Sequence, residues 1–129
     1  MEMIGQLVGT LFLSREVAHR AHLAVKPVMG SFAMHTSLGE FYDSVTEMAD
    51  RLTEVYQGRM DTLIEIPYLD FPKSENLPKD ILGILEDHLD DIESLRYTAV
   101  DKKETMLQNL IDEIVELYSR TFYKLRNFR

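Results

Sequence analysis

Cysteine and tryptophan are absent from the 129 residues, and proline and glycine are scarce, at four and six. Without cysteine there is no disulfide framework, thiolate metal site or thiol nucleophile. Any metal must then be held by oxygen and imidazole ligands, a donor set that suits iron, manganese or zinc better than copper(I). Positive charge is also short. Against 22 Asp and Glu stand 14 Lys and Arg, a formal net charge of -8. Such an excess repels phosphate, so DNA binding is not expected. No stretch approaches the roughly 20 apolar residues that span a bilayer. The start, Met1-Glu-Met-Ile-Gly-Gln, lacks the basic region of a signal peptide. The expectation is a cytoplasmic protein without membrane contact. Glycine-rich phosphate loops, nucleophile elbows and His-Glu-x-x-His pairs are missing too.

What is present is helical periodicity. The hydrophobic fraction of 45% and charged fraction of 28% describe one globular domain over residues 1–129. Ile4, Leu7, Val8, Leu11, Phe12, Ala18, Ala21 and Val25 recur at three- and four-residue spacing, which predicts a first helix over 3–25 with one wide apolar face. Pro27 stops it, and a short turn through Gly30 leads to Ser31 as N-cap. Leu38, Phe41, Val45, Met48, Leu52 and Val55 mark a second helix over 32–56, with Gly58 as its stop. Residues 59–78 hold Pro67, Pro72 and Pro78 and read as a crossover, with Ile64, Ile66, Tyr68, Leu69 and Phe71 packed on the bundle or at a subunit contact. A third helix starts near Pro78, with Ile81, Leu85, His88, Ile92 and Leu95 inward. A fourth starts at Asp101, with Glu104 completing a capping-box-like start. Arg120, Lys124, Arg126 and Arg129 give it a cationic end favoured by the helix dipole, with a weak contact to an acidic partner as the alternative. Short, long and short connections predict an all-α four-helix bundle with one crossover.

The chemistry-bearing residues are histidines and carboxylates at helical spacing. His22 and His35 flank the first turn and can converge at one end of the first hairpin. Asp50 and Glu54 lie one turn apart on one face of the second helix. At 1.5 Å rise per residue, His35 and Asp50 are about 22 Å apart on a straight helix. They cannot hold one metal within one chain, so a shared site requires two. A competing placement lies inside one subunit. Glu16-x-x-His19 has the Glu-x-x-His spacing of di-iron bundles, and Asp43, His88 and Glu116 fall at similar heights. His88, on an apolar seam, reads more simply as a satisfied core or interface histidine.

Over roughly residues 14–57 the chain resembles the Dps-like miniferritins. That family carries Ala-His near its first turn, His-x-x-Leu-Asp opening its second helix, and Asp-x-x-x-Glu later in it. The matching positions here are Ala21-His22, His35-Thr-Ser-Leu38 and Asp50-Arg-Leu-Thr-Glu54, and the spacing from His35 to Asp50 agrees. Gly39 stands in place of the family's acid, with Glu40 beside it as a partial substitute. Leu23 replaces the usual tryptophan, and the turn is one residue longer. The Lys-rich N-terminal tail of DNA-binding members has no counterpart, since no Lys or Arg precedes Arg15. The resemblance implies a ferritin-like bundle and a homo-oligomer, a dimer at least and a cage as the larger form. It also implies an intersubunit iron site, di-iron when full, built from His22, His35 and Glu40 with Asp50 and Glu54 of the mate. Oxidation of Fe(II), with storage or detoxification of iron, would follow, and other divalent metals fit the same donors. The alternative is a non-catalytic structural or interaction protein that keeps the bundle around a degenerate centre.

Overall fold

The computed structural model describes residues 2–28 and 31–128. These form four α-helices and no strand: α1 Met3–Ala24, α2 Ser31–Met60, α3 Leu77–Ala99 and α4 Thr105–Asn127. Gly30 and Arg129 lie outside the described residues. The apolar seams meet in one core, where Leu7, Leu11, Leu38, Leu52, Ile81, Leu85, Ile111 and Tyr118 are fully buried. Phe12 departs from expectation: it is 46% exposed, on the outer side of α1. No helix among the described residues is long and apolar enough to cross a membrane.

Two helix boundaries differ from the sequence reading by more than one residue. Gly58 does not stop α2, which runs on to Met60. The stop is Asp61, whose φ of 49° places it in the left-handed region that Asp tolerates. Asp101 does not cap α4. Its Oδ1 accepts from the Lys103 N–H at 2.8 Å, a local turn that consumes the capping oxygen, so α4 begins four residues later, at Thr105. At α3 the sequence reading holds closely: Asn76 caps the helix by accepting from Lys79 N–H, and Pro78 occupies the first turn.

Cross-helix pairs fix the directions. Lys124 to Glu40, Arg51 to Glu113 and Arg59 to Glu104 form three rungs that make α2 and α4 antiparallel. Arg96, near the end of α3, reaches Gln108 and Asp112 at the start of α4, while Arg126 pairs with Glu86, so α3 and α4 are antiparallel as well. The described cations of the α4 terminus are therefore engaged by carboxylates, Arg120 by Glu116 on its own helix. Each rung lies at the surface and adds little stability on its own.

Residues 61–76 are the long connection, and they run along α1. A Cβ built on Gly5 would strike the carbonyl oxygen of Glu65, and one on Gly9 would lie 3.2 Å from that of Pro67. Further along, the Arg20 guanidinium sits over the Phe71 ring at 5.5 Å. The strap thus passes α1 from its first turn to its last. Ile64 and Ile66 face the core cluster, whereas Tyr68 is fully exposed and Phe71 is 43% exposed. Tyr68 is the clear departure from the expected inward packing.

Candidate functional site

The site sits where α1 ends and α2 begins. His22 and His35 stack there, with ring centroids 3.7 Å apart and planes inclined by 18°. Each binds the other's backbone: His22 Nδ1 lies 2.5 Å from the His35 carbonyl oxygen, and His35 Nδ1 lies 3.0 Å from that of His22. A carbonyl only accepts, so both Nδ1 atoms carry a proton, and in the neutral imidazole Nε2 is then the nitrogen with the lone pair. Metal-ligating histidines are oriented by the same device, with one ring nitrogen donating to a carbonyl and the other free to bind. Tyr42 closes the cluster, stacked on His19 at 4.4 Å and edge-on to His22 at 5.4 Å.

The stack sets a limit on what the pair can hold. A metal lies near the plane of the imidazole that ligates it, and these planes are nearly parallel. Both lone pairs therefore cannot meet at one ion. Accordingly, no group of three or more His, Asp or Glu side chains placed to hold a metal occurs among the described residues.

The other expected ligands lie elsewhere. Glu40 turns toward α4, where Lys124 Nζ donates to it at 2.9 Å, and not toward the histidines. Glu16 is held by Arg20 at 2.8 Å and Arg15 at 3.2 Å. The Arg20 hydrogen bond is the main reason its carboxyl lies below the usual range. Asp50 and Glu54 are exposed, and neither has an ion pair or hydrogen bond among the described residues. Asp50 lines a shallow groove between α1 and α2 with Phe12, Arg15, Glu16 and Thr46. A larger concavity of about 800 Å³ opens at the end of the bundle near Met34, Leu82, Leu125 and Phe128, but no histidine lines it.

The mid-bundle placement of a metal does not form. Glu16, Asp43, His88 and Glu116 are not gathered; Glu116 lies beside Arg120 on the outer surface of α4, and His88 is bonded to Ser14. In the core, Tyr118 donates to Ser14 Oγ at 2.6 Å, and Ser14 Oγ lies 2.7 Å from His88 Nδ1. Ser14 has one hydroxyl proton and meets no other acceptor among the described residues, so it donates to Nδ1, which requires the neutral imidazole. Of the core and interface placements that the apolar seam left open, this is the core one.

Burial pushes the His88 imidazole below its ordinary value, against the opposing pull of Asp91 and Asp87. The folded chain therefore resists a proton that the unfolded chain accepts. The stability this residue contributes is intact above about pH 6.5 and is lost as pH falls from there through the lowered folded value. His88→Asn keeps an acceptor for Ser14 and cannot titrate. Between about pH 7.5 and pH 5.5 its urea midpoint should fall less than that of the wild type. Equal falls would show that His88 does not carry this pH dependence.

No curated protein and no solved structure matches the chain. One family model does, described as a family of unknown function (DUF5856), and it spans residues 28–125. That range takes in α2, the strap and α3 whole, together with all but the last residues of α4, so the chain belongs to the DUF5856 family.

Proposed function

We propose that the chain is a ferritin-like, Dps-related bundle that assembles at least as a dimer and binds ferrous iron between subunits. The observation that carries this reading is the reciprocal histidine lock, which engages both Nδ1 atoms and leaves both Nε2 atoms without a hydrogen-bond partner among the described residues at one end of the α1–α2 hairpin. Asp50 and Glu54, without partners of their own among the described residues, supply the oxygen donors from the other end of a mate's α2. Phe12, exposed in the groove beside Asp50, gives that face the apolar anchor an interface needs. Imidazole and carboxylate together suit ferrous iron, and carboxylates offset the charge gained on oxidation. Because the rings are stacked, each ion takes one imidazole, so a full site holds two ions. Glu40, occupied by Lys124, stays outside it.

Size-exclusion chromatography with anaerobic ferrous titration tests the reading. The expected result is a dimer or larger assembly whose iron binding disappears in Asp50→Ala/Glu54→Ala while the helical circular dichroism is unchanged. A monomer that takes up no iron would sink the proposal. An unaltered iron stoichiometry in the double variant would place the metal elsewhere.

A second reading is favoured by one observation: within a single chain nothing among the described residues joins the two imidazoles as a third ligand. On that reading the bundle is a non-catalytic interaction protein and the histidine lock is a structural clasp on the hairpin. It predicts assembly without iron uptake.

A further inference from the structure

We propose that Gly39 is a positioning residue: its missing side chain seats the His22 imidazole on α2, and that seat locks both histidines with Nε2 bare. The consequence for metal affinity rests on the reading of these histidines as ligands; the seat itself does not.

Glycine is the poorest helix former after proline, and Gly39 sits well inside α2. Its φ is outside the left-handed region, so backbone conformation gives no reason for it. Its surroundings do. The nearest atoms to a Cβ built there all belong to one ring: His22 Cε1 at 3.0 Å, Nδ1 at 3.3 Å and Nε2 at 3.9 Å. The bond partner of that ring explains why it must lie so close. His22 Nδ1 donates to the carbonyl of His35, the same carbonyl that an α-helix pairs with the N–H of residue 39. A carbonyl has two lone pairs, and the His22 ring reaches the second while lying directly against residue 39. A Cβ there would lie 3.0 to 3.3 Å from Cε1 and Nδ1, so the imidazole must give by a few tenths of an ångström, and its short bond to the His35 carbonyl is what that shift strains. Once His22 is displaced, the stack opens and His35 loses the His22 carbonyl in turn. Where the sequence pattern suggested a missing ligand, the structure assigns Gly39 the task of orienting the ligands present.

The test compares the wild type with Gly39→Ala by long-range 1H–15N correlation of the imidazoles and by anaerobic Fe(II) titration. In the wild type both rings should show a protonated Nδ1 and a bare Nε2, with a strong Overhauser contact between Gly39 Hα and His22 Hε1. In Gly39→Ala both rings should become tautomer mixtures, and Fe(II) affinity should fall about 10- to 100-fold, as when an orienting partner of a ligand is lost. A third sample guards against simple misfolding. With His22→Ala also present, a methyl group added at position 39 has no ring to meet, so Gly39→Ala should then raise the unfolding midpoint. Unchanged tautomers in Gly39→Ala, or a penalty that persists without the His22 ring, would overturn the proposal. A wild type that shows the lock, and loses it in Gly39→Ala, but binds no Fe(II) upholds the positioning role and removes the metal reading alone.

Discussion

Replacing Gly5 with alanine is expected to destabilise the fold by about 2 to 4 kcal/mol, a large effect for adding one methyl group. The added Cβ would be driven into the carbonyl oxygen of Glu65, which is backbone and cannot rotate aside. To relieve the clash the strap must lift from α1, and Ile64 and Ile66 are the partly buried side chains that would lose their packing. The same substitution at other helical glycines calibrates the result. Gly9→Ala meets the Pro67 carbonyl at 3.2 Å and should be nearly neutral, since a shift of a few tenths of an ångström accommodates it. Gly58→Ala and Gly83→Ala meet nothing within 4 Å and should stabilise by roughly 0.5 to 1 kcal/mol through helix propensity. Chemical denaturation of the four single variants therefore gives one methyl group with opposite signs. If Gly5→Ala behaves like Gly58→Ala, the strap does not rest on α1 as described.

These glycines show where sequence reading stopped. Periodicity located the helices and most of the buried seam residues of α1, α2 and α3, because burial repeats with the turn of the helix and leaves its trace in hydrophobicity. The strap's course had no such trace. Gly5-x-x-x-Gly9 marks the face where another backbone comes close, but a pair of glycines in a helix does not name the segment that lies on it. The histidine pair was legible for a topological reason: residues flanking a short turn between antiparallel helices must be neighbours. The donor pattern was not, because it depends on which carbonyl each ring reaches. The direction of Glu40, paired with Lys124, was not legible for a similar reason. One residue along a helix is about 100° around it, enough to turn a carboxylate from the α1 side of α2 to the α4 side. Phe12 kept the right spacing but lies at the edge of the apolar stripe, where period alone does not separate core from interface.

The buried polar chain in the middle of the bundle leads to the second large effect. Ser14→Ala should cost about 2 to 4 kcal/mol, although the residue is small and removing its hydroxyl leaves only a slight void. Ser14 accepts from Tyr118 and donates to His88, and all three residues are buried. Without the hydroxyl, a phenol and an imidazole nitrogen are both left unpaired in a dry core, each at about 1 to 3 kcal/mol, reduced by any relaxation toward other acceptors. Tyr118→Phe is the informative contrast. It removes a donor and leaves Ser14 bonded to His88, so nothing is orphaned and the loss should be near 1 kcal/mol. Combining the two should be less than additive, because with phenylalanine at 118 only the imidazole is unpaired when Ser14 is lost. The cycle also separates two reasons for a polar chain in a bundle core. If the group mainly sets the register of α1 against α3 and α4, Ser14→Ala should broaden the amide spectrum as well as lower the midpoint. If it contributes only energy, the midpoint falls and the spectrum stays sharp. Additive losses in the double variant would mean that the phenol and the serine are not coupled, and that the 2.6 Å contact between them contributes nothing to the folded state.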